Sequence, residues 1–141
     1  MTALTDAAPA TATTRLPMIG LLRALLLIEA AAGLALAVFL SLVADAVAAQ
    51  SGIADETNVR FAAGAAFLFA LFAAIASRGA RRRRGWAWTM AAILQVLLAI
   101  GTGIAIMVAE WHPAYLVGFA LATAVMLVLS VASVRRALGQ A

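Results

Sequence analysis

The dominant pattern in the chain is a series of apolar stretches separated by short polar or charged segments. The stretches cover residues 24–44, 61–77, 86–109 and 114–134. Because a helix rises 1.5 Å per residue, about 20 residues cross the roughly 30 Å hydrocarbon core of a bilayer. The second stretch is short, but Arg60 and Arg78 at its ends can extend toward the headgroups. The pattern predicts an all-α, polytopic membrane protein, a four-transmembrane-helix bundle spanning residues 16–136.

The segments outside these stretches are predicted to be irregular. They are a disordered N-terminal tail (1–15), a polar loop (50–60), a tight basic loop (78–85), a tight turn (110–113) and a short C-terminal tail (137–141). The sequence Ala46-Val47-Ala48 has the small-x-small form of a signal-peptide cleavage site. The apolar run before it is longer than the roughly 7–15 residues of a signal peptide. We therefore expect the first helix to be retained.

Arginine placement predicts the orientation in the membrane. All ten basic residues are arginine, and a cytoplasmic N-terminus would leave only Arg60 on the outer side. Cytoplasmic loops accumulate Arg and Lys. The sequence therefore predicts a multi-pass protein of the cell (plasma) membrane with both termini in the cytoplasm.

Composition supports the membrane assignment and excludes several other classes. Apolar residues make up 66% of the chain and charged residues 11%, with a mean hydropathy of +1.07. A soluble domain carries about 25% charged residues, so a soluble enzyme is excluded. The absence of cysteine removes disulfides and thiol chemistry. The net charge of +4 follows the predicted topology, so we expect no nucleic-acid partner.

Small residues recur at helical spacing and predict the faces that pack, because membrane helices associate through close contact and hydrogen bonds. The predicted faces are Glu29, Ala30, Gly33 and Ala37; Ala62, Ala66, Ala70, Ala73, Ala74 and Ser77; Trp88, Ala91, Ala92, Gln95, Ala99, Thr102 and Gly103; and Gly118 with Ala122. Opposite the second of these faces, the residues expected to face lipid are Phe61, Leu68, Phe72 and Ile75. An alanine-rich composition can also produce such stripes by chance.

Glu29 is the sharpest chemical feature, since a charged residue near the bilayer centre costs roughly 2.5–3.5 kcal/mol on insertion scales. It either forms a proton-coupled or cation-binding site, or it fastens two helices through a hydrogen bond. Candidate partners for that bond are the Trp88 indole, Thr89 and Gln95. Gln95, near the middle of the third stretch, is expected either to form an interhelical hydrogen bond or to contact a ligand.

The run of Arg81, Arg82, Arg83 and Arg84 offers candidate contacts for anionic lipid, each worth about 1 kcal/mol near the surface. The same run can serve only to hold its loop in the cytoplasm. Glu110 and His112 supply two ligands where zinc needs three or four, so no metal site is predicted. No nucleotide, hydrolase or paired-carboxylate motif is present, and we expect neither enzyme activity nor a cofactor.

Three short sequences carry a family resemblance: residues 27–35, with Glu29; Arg84-Gly85-Trp86-Ala87; and residues 91–95, ending in Gln95. Together they resemble a group of small actinobacterial integral membrane proteins with four predicted helices and no assigned activity. The resemblance covers most of residues 20–136. It implies architecture and habitat only.

Two functions remain open. The chain is either a noncatalytic accessory or structural subunit, packing against itself or a larger membrane complex, or a small proton-coupled transporter or channel that uses Glu29. Residues 26–30, LLIEA, are similar to the glutamate segment of small multidrug-resistance exporters, which also have four short helices. Members of that family that insert in both orientations carry little charge bias, unlike this chain.

Overall fold

A computed structural model describes residues 15–51, 53–108 and 113–140 of the chain. They form five helices: α1 (Arg15–Ser51), α2 (Ile53–Arg81), α3 (Gly85–Val108), α4 (Pro113–Ser130) and α5 (Ala132–Ala137). No strand occurs in the described ranges. The all-α class is therefore confirmed, while the predicted disordered tail lies, apart from Arg15, outside the described residues.

Three of the helices are long and apolar enough to cross a membrane, as expected of a membrane protein. They are Met18–Ala46 in α1, Glu56–Arg81 in α2 and Gly85–Ile104 in α3. The apolar part of α4, Tyr115–Ser130, is shorter. At 1.5 Å per residue it extends about 24 Å, somewhat less than the hydrocarbon core of a bilayer.

Helices α1 and α2 form the most extensive contact in the bundle. At Gly33 an added Cβ would lie 3.2 Å from both the Ala66 carbonyl oxygen and the Ala70 Cβ, so a larger side chain has no room there. Glu29 and Ala37, one turn to either side, are buried. The predicted small-residue face of α1 is confirmed.

The predicted face of α2 is only partly correct. Ala70, Ala73 and Ser77 are buried, but Ala62 and Ala74 are exposed. A buried or half-buried seam along α2 is formed by Ala63, Ala66, Ala70, Ala73, Ser77 and Ala80. Ala76 and Gly79, beside this seam, are also buried. The six seam positions alternate steps of three and four residues, close to the 3.5-residue repeat of helices that wrap around each other. Two predicted positions, Ala62 and Ala74, are therefore off the seam, each by one residue.

The outer surface of the bundle is apolar. Phe61, Leu68, Phe72 and Ile75 are all exposed, which confirms their predicted position away from the core. The largest fully buried apolar side chains are Leu22, Leu26, Leu129, Leu138, Val125 and Val134. The other apolar contacts are made mainly by alanine and glycine, so helix proximity rather than side-chain volume closes much of the bundle.

The connection between α1 and α2 is not the predicted polar loop. Helix α1 continues to Ser51 and α2 begins at Ile53. Arg60 joins the two helices, donating to Asp45 at 2.8 Å and to Glu56, one turn before it, at 2.6 Å. Polar residues form helix as readily as apolar ones when their charges pair at i,i+4 spacing, so polarity alone was a poor loop signal.

The fourth apolar stretch is not one helix. Helix α4 ends at Ser130, and Val131 adopts an extended conformation (φ −64°, ψ 125°) before α5. The Ser130 hydroxyl donates to the Met126 carbonyl at 2.8 Å, a bond that bends helices. Helix α5 then turns back on the bundle, with Val134 and Leu138 fully buried. The predicted 137–141 tail is therefore anchored through Leu138.

Candidate functional site

Glu29 of α1 and Gln95 of α3 meet inside the bundle. The Gln95 amide nitrogen donates to Glu29 Oε2 at 2.8 Å, and the residues are 2% and 1% exposed. The backbones of α1 and α3 are not among the closely packed pairs, so these two long side chains reach across the bundle interior. The bond links the first hairpin, α1–α2, to the second hairpin, α3–α4.

The sequence places this pair on faces that are apolar on both sides of it. Leu26 precedes Glu29 by one turn and Ala91 precedes Gln95 by one turn, and both are fully buried. Gly33 and Ala99, one turn further along each helix, are half-buried, so each polar residue lies within a packing face. An amide–carboxyl bond in these surroundings is shielded from water.

Each partner retains one oxygen without a hydrogen bond. Glu29 Oε1 and Gln95 Oε1 are buried, and no donor among the described residues reaches either. An ionised carboxylate and an amide oxygen are both pure acceptors, and unsatisfied buried polar atoms are costly. A proton on Glu29 Oε1 would make it a donor, which is what an acid–amide pair with two hydrogen bonds requires.

The other two candidate partners of Glu29 lie elsewhere. The Trp88 indole N–H donates to the Leu129 carbonyl at 3.1 Å, and Thr89 is exposed. Leu129 is in the last turn of α4, where backbone carbonyls have no partner within the helix. Trp88 therefore donates to a backbone carbonyl at the end of α4, and Gln95 is the candidate that bonds to Glu29.

Sequence reasoning missed Arg23 as a residue of interest and counted it only for orientation. Its Nε atom is buried and has no hydrogen-bond partner in the part of the chain that the structure describes. The available signal was its position, since Arg23 interrupts an apolar run between Leu22 and Ala24. An arginine so placed either reaches an interface or needs a partner.

Glu29 and Gln95 line neither of two pockets found in the described bundle. The first, about 250 Å³, lies beside the α2–α3 turn and is lined by Ile75, Arg78, Gly79, Arg82, Arg84 and Trp86. The second, about 550 Å³, is a largely apolar groove between α1 and α2 that includes Ser41 and Arg60. The buried acid therefore borders neither pocket.

The predicted arginine run divides into two groups. Arg82 and Arg84 line the first pocket together with Arg78, which lies before the predicted run. Arg81 and Arg83 are exposed but do not line it. The sequence predicts four equivalent candidate lipid contacts, whereas in the folded turn only Arg82 and Arg84 of the run line the pocket.

The described residues contain no group of three or more His, Cys, Asp or Glu side chains that could hold a metal ion. Glu110 and His112, the two ligands weighed from the sequence, lie outside the described ranges. No family model, curated protein or solved structure matches the chain. Its resemblance to the small actinobacterial membrane proteins therefore stays a prediction.

Proposed function

We propose that the chain is a noncatalytic structural or accessory subunit embedded in the cell membrane. The observation that carries this proposal is the buried Glu29–Gln95 bond, which joins the two hairpins and borders neither pocket. An acid used for transport needs a path to each side of the membrane. An acid that holds helices together needs only a partner, and Glu29 has one.

A neutral Glu29 fits the same proposal. A protonated carboxyl can accept from the Gln95 amide nitrogen and donate to the Gln95 oxygen, which would satisfy both unpartnered atoms. In this form the pair carries no charge into the membrane. It would act as a two-bond fastener between α1 and α3.

The outer surface supports an accessory role. Large apolar side chains are exposed along α1, α2, α3 and α4, among them Phe39, Phe61, Leu97 and Val117. Such a surface suits contact with lipid, with a second copy of the chain, or with the helices of a larger membrane complex. The described residues carry no constellation of catalytic groups on it.

We further propose four membrane spans with both termini in the cytoplasm. The Cβ position of Gly85 lies 3.1 Å from the Leu138 carbonyl, so the α2–α3 turn and α5 are at the same end of the bundle. That end, which we call the arginine-rich end, carries Arg78, Arg81–Arg84, Arg135 and Arg136. It would face the cytoplasm by the positive-inside rule. The apolar part of α4 is short, and the residues around the bend at Val131 would supply the remaining length of its span.

A proton-coupled transporter or channel is the alternative function. The observation that favours it is the unpartnered oxygen on each of Glu29 and Gln95, which leaves capacity for a proton or a cation. A proton relay, however, works through a chain of titratable groups. Glu29 is the only acid within the four predicted apolar stretches, so no second acid there can pass a proton on. Asp45 and Glu56 are already paired with Arg60.

Proteoliposomes loaded with a pH-sensitive dye would separate the two functions. Under an imposed gradient, we expect wild-type protein and Glu29→Gln to give the same dye response as empty vesicles. A wild-type proton flux that disappears in Glu29→Gln, while the variant stays folded, would contradict the structural role.

The subunit assignment needs a second measurement, which is the mass of the tagged protein purified from its native membrane in a gentle detergent. We expect a stoichiometric complex with larger membrane subunits. A monomer free of other proteins, at native expression level, would contradict the accessory assignment.

A further inference from the structure

The pocket at the arginine-rich end combines cationic and apolar walls. Three arginines, Arg78, Arg82 and Arg84, belong to the lining, and Ile75 and Trp86 are its large apolar residues. All five side chains are exposed to the surroundings of the bundle. The pocket is thus reachable from outside and is not part of the buried core.

The backbone of the α2–α3 turn accounts for this arrangement. The Arg84 N–H donates to the Gly79 carbonyl and the Arg83 N–H to the Ala80 carbonyl, both at 3.1 Å. This pair of bonds is a Schellman motif, which requires a left-handed residue at its fifth position. Arg83 fills that position with φ 52°. Because the chain reverses so tightly, Arg84 returns to the side of α2 that carries Arg78 and Arg82.

Gly79 fixes the apolar wall. A Cβ at this position would lie 2.6 Å from Cη2 of Trp86 and 2.8 Å from the Ala87 Cβ, so the indole ring rests directly on the α2 backbone. Trp86 remains 43% exposed. The ring therefore forms one side of the pocket and presents apolar surface next to the arginines.

The three arginines have no anionic partner within the described chain. The ion pairs formed there both involve Arg60, with Asp45 and Glu56, and Glu29 is buried with Gln95. Guanidinium groups bind phosphate through paired N–H donors, and their planar fork suits that geometry. A ligand that fits therefore carries a phosphate group and an apolar portion.

We propose that this pocket binds the phosphate group of an anionic phospholipid, with the start of its apolar chains against Ile75 and Trp86. The pocket lies at the end of the apolar part of α2, at the depth where lipid headgroups begin if α2 crosses the bilayer. The assignment selects Arg78, Arg82 and Arg84 and leaves out Arg81 and Arg83. It goes beyond the proposed structural function and does not depend on the role of Glu29.

The test compares two double variants that remove the same charge from the same turn. Arg78→Gln/Arg82→Gln alters the pocket, and Arg81→Gln/Arg83→Gln alters its surroundings. Phosphatidylglycerol is titrated into each purified protein in a neutral detergent, and binding is followed by the rise in melting temperature. We expect at least about 30-fold weaker binding in the pocket variant, because both arginines lose charge-assisted hydrogen bonds to the phosphate. We expect a loss of less than about fivefold in the matched variant, because a neutral detergent offers no charged surface for Arg81 and Arg83 to contact.

Two further ligands identify the source of the phosphate. Phosphatidylcholine tests whether net negative charge matters, and inorganic phosphate tests whether the lipid chains matter. We expect little rise in melting temperature with either. An equal response to phosphatidylcholine, or competition by millimolar inorganic phosphate to the same endpoint, would overturn the assignment to an anionic lipid.

Equal weakening in the two double variants would also overturn the proposal, because it would show an effect of loop charge alone. If Arg78→Gln/Arg82→Gln does not fold, the test uses Arg78→Lys/Arg82→Lys instead, because lysine retains the positive charge. That pair should still bind several-fold more weakly than wild type, because lysine lacks the paired donors of the guanidinium. Unchanged affinity in the lysine pair would contradict a built phosphate site.

Discussion

Gly33 and Ala70 are so close that a methyl group on Gly33 would lie 3.2 Å from the Ala70 Cβ. The Ala66 carbonyl oxygen is equally near, so backbone as well as side chain limits the space. This contact lies in the most extensive helix pair of the bundle. Position 33 therefore sets how closely α1 approaches α2.

We expect Gly33→Leu to destabilise the protein by at least about 2 kcal/mol, because added volume must push the two helices apart. The matched control is Gly101→Leu, since no described atom lies within 4 Å of a Cβ there. The measurement is thermal unfolding in detergent. Equal melting temperatures for the two variants would contradict the close contact.

The Glu29–Gln95 pair leads to a double-mutant cycle. Glu29→Gln should be nearly silent, because two amides can exchange two hydrogen bonds, as we propose for the neutral acid and Gln95. Glu29→Leu and Gln95→Leu should each cost about 0.6 to 1.7 kcal/mol, the range of measured intramembrane hydrogen bonds. The double variant should cost less than the sum, since it leaves no unpaired polar group. Additive losses in chemical unfolding would show that the two side chains do not interact.

Trp88 gives a prediction about the end of α4. Trp88→Phe retains the ring and removes the donor to the Leu129 carbonyl, so we expect a loss of about 1 kcal/mol. Trp86→Phe is the control, because Trp86 is 43% exposed and its N–H can be replaced by solvent or headgroups. Hydrogen exchange in the last turn of α4 should rise for Trp88→Phe alone. Unchanged hydrogen exchange in that turn would show that the Trp88 hydrogen bond does not stabilise the end of α4.

The proposed orientation can be checked with reporter fusions. Fusions after Arg84 and at Ala141 should report a cytoplasmic position, and an insertion at Gly52 should report the outer side, because arginines concentrate at one end of the bundle. A reporter fused ahead of Arg15, before the first candidate span begins at Met18, serves as a second cytoplasmic control. A mixed signal at any of these positions would contradict a single orientation.

The hydrogen-bonding role of a polar residue could be predicted from the sequence where that residue interrupts an apolar face. Glu29 was expected to bond to one of three residues, and Gln95 is the one it contacts. Spacing alone could not choose among them, because the choice depends on which helix faces α1. Small residues were less informative: Gly103 was expected to mark a close contact, yet no described atom lies within 4 Å of its Cβ position. Glycine looks the same in sequence whether or not another helix approaches.

The break at Val131 was not predictable from composition. Neither proline nor glycine occurs between Ala122 and Arg136, and apolar residues continue past the end of α4. The burial of Val134 and Leu138 against the bundle outweighs the loss of helical hydrogen bonds at the bend. Such tertiary contacts have no local signature, and the same holds for the grouping of arginines by the turn at Arg83.

The separation between Glu29 and Gln95 along the chain has a consequence for biosynthesis. The partners are 66 residues apart, and translation proceeds from the N-terminus, so the first hairpin is synthesised before Gln95. Helices α1 and α2 can pair at once through Gly33 and Ala70, but Glu29 then enters the membrane with no amide to meet it. Arrival of the second hairpin completes that bond, so a nascent chain halted between the hairpins would present an unpaired acid to lipid and to quality-control proteases.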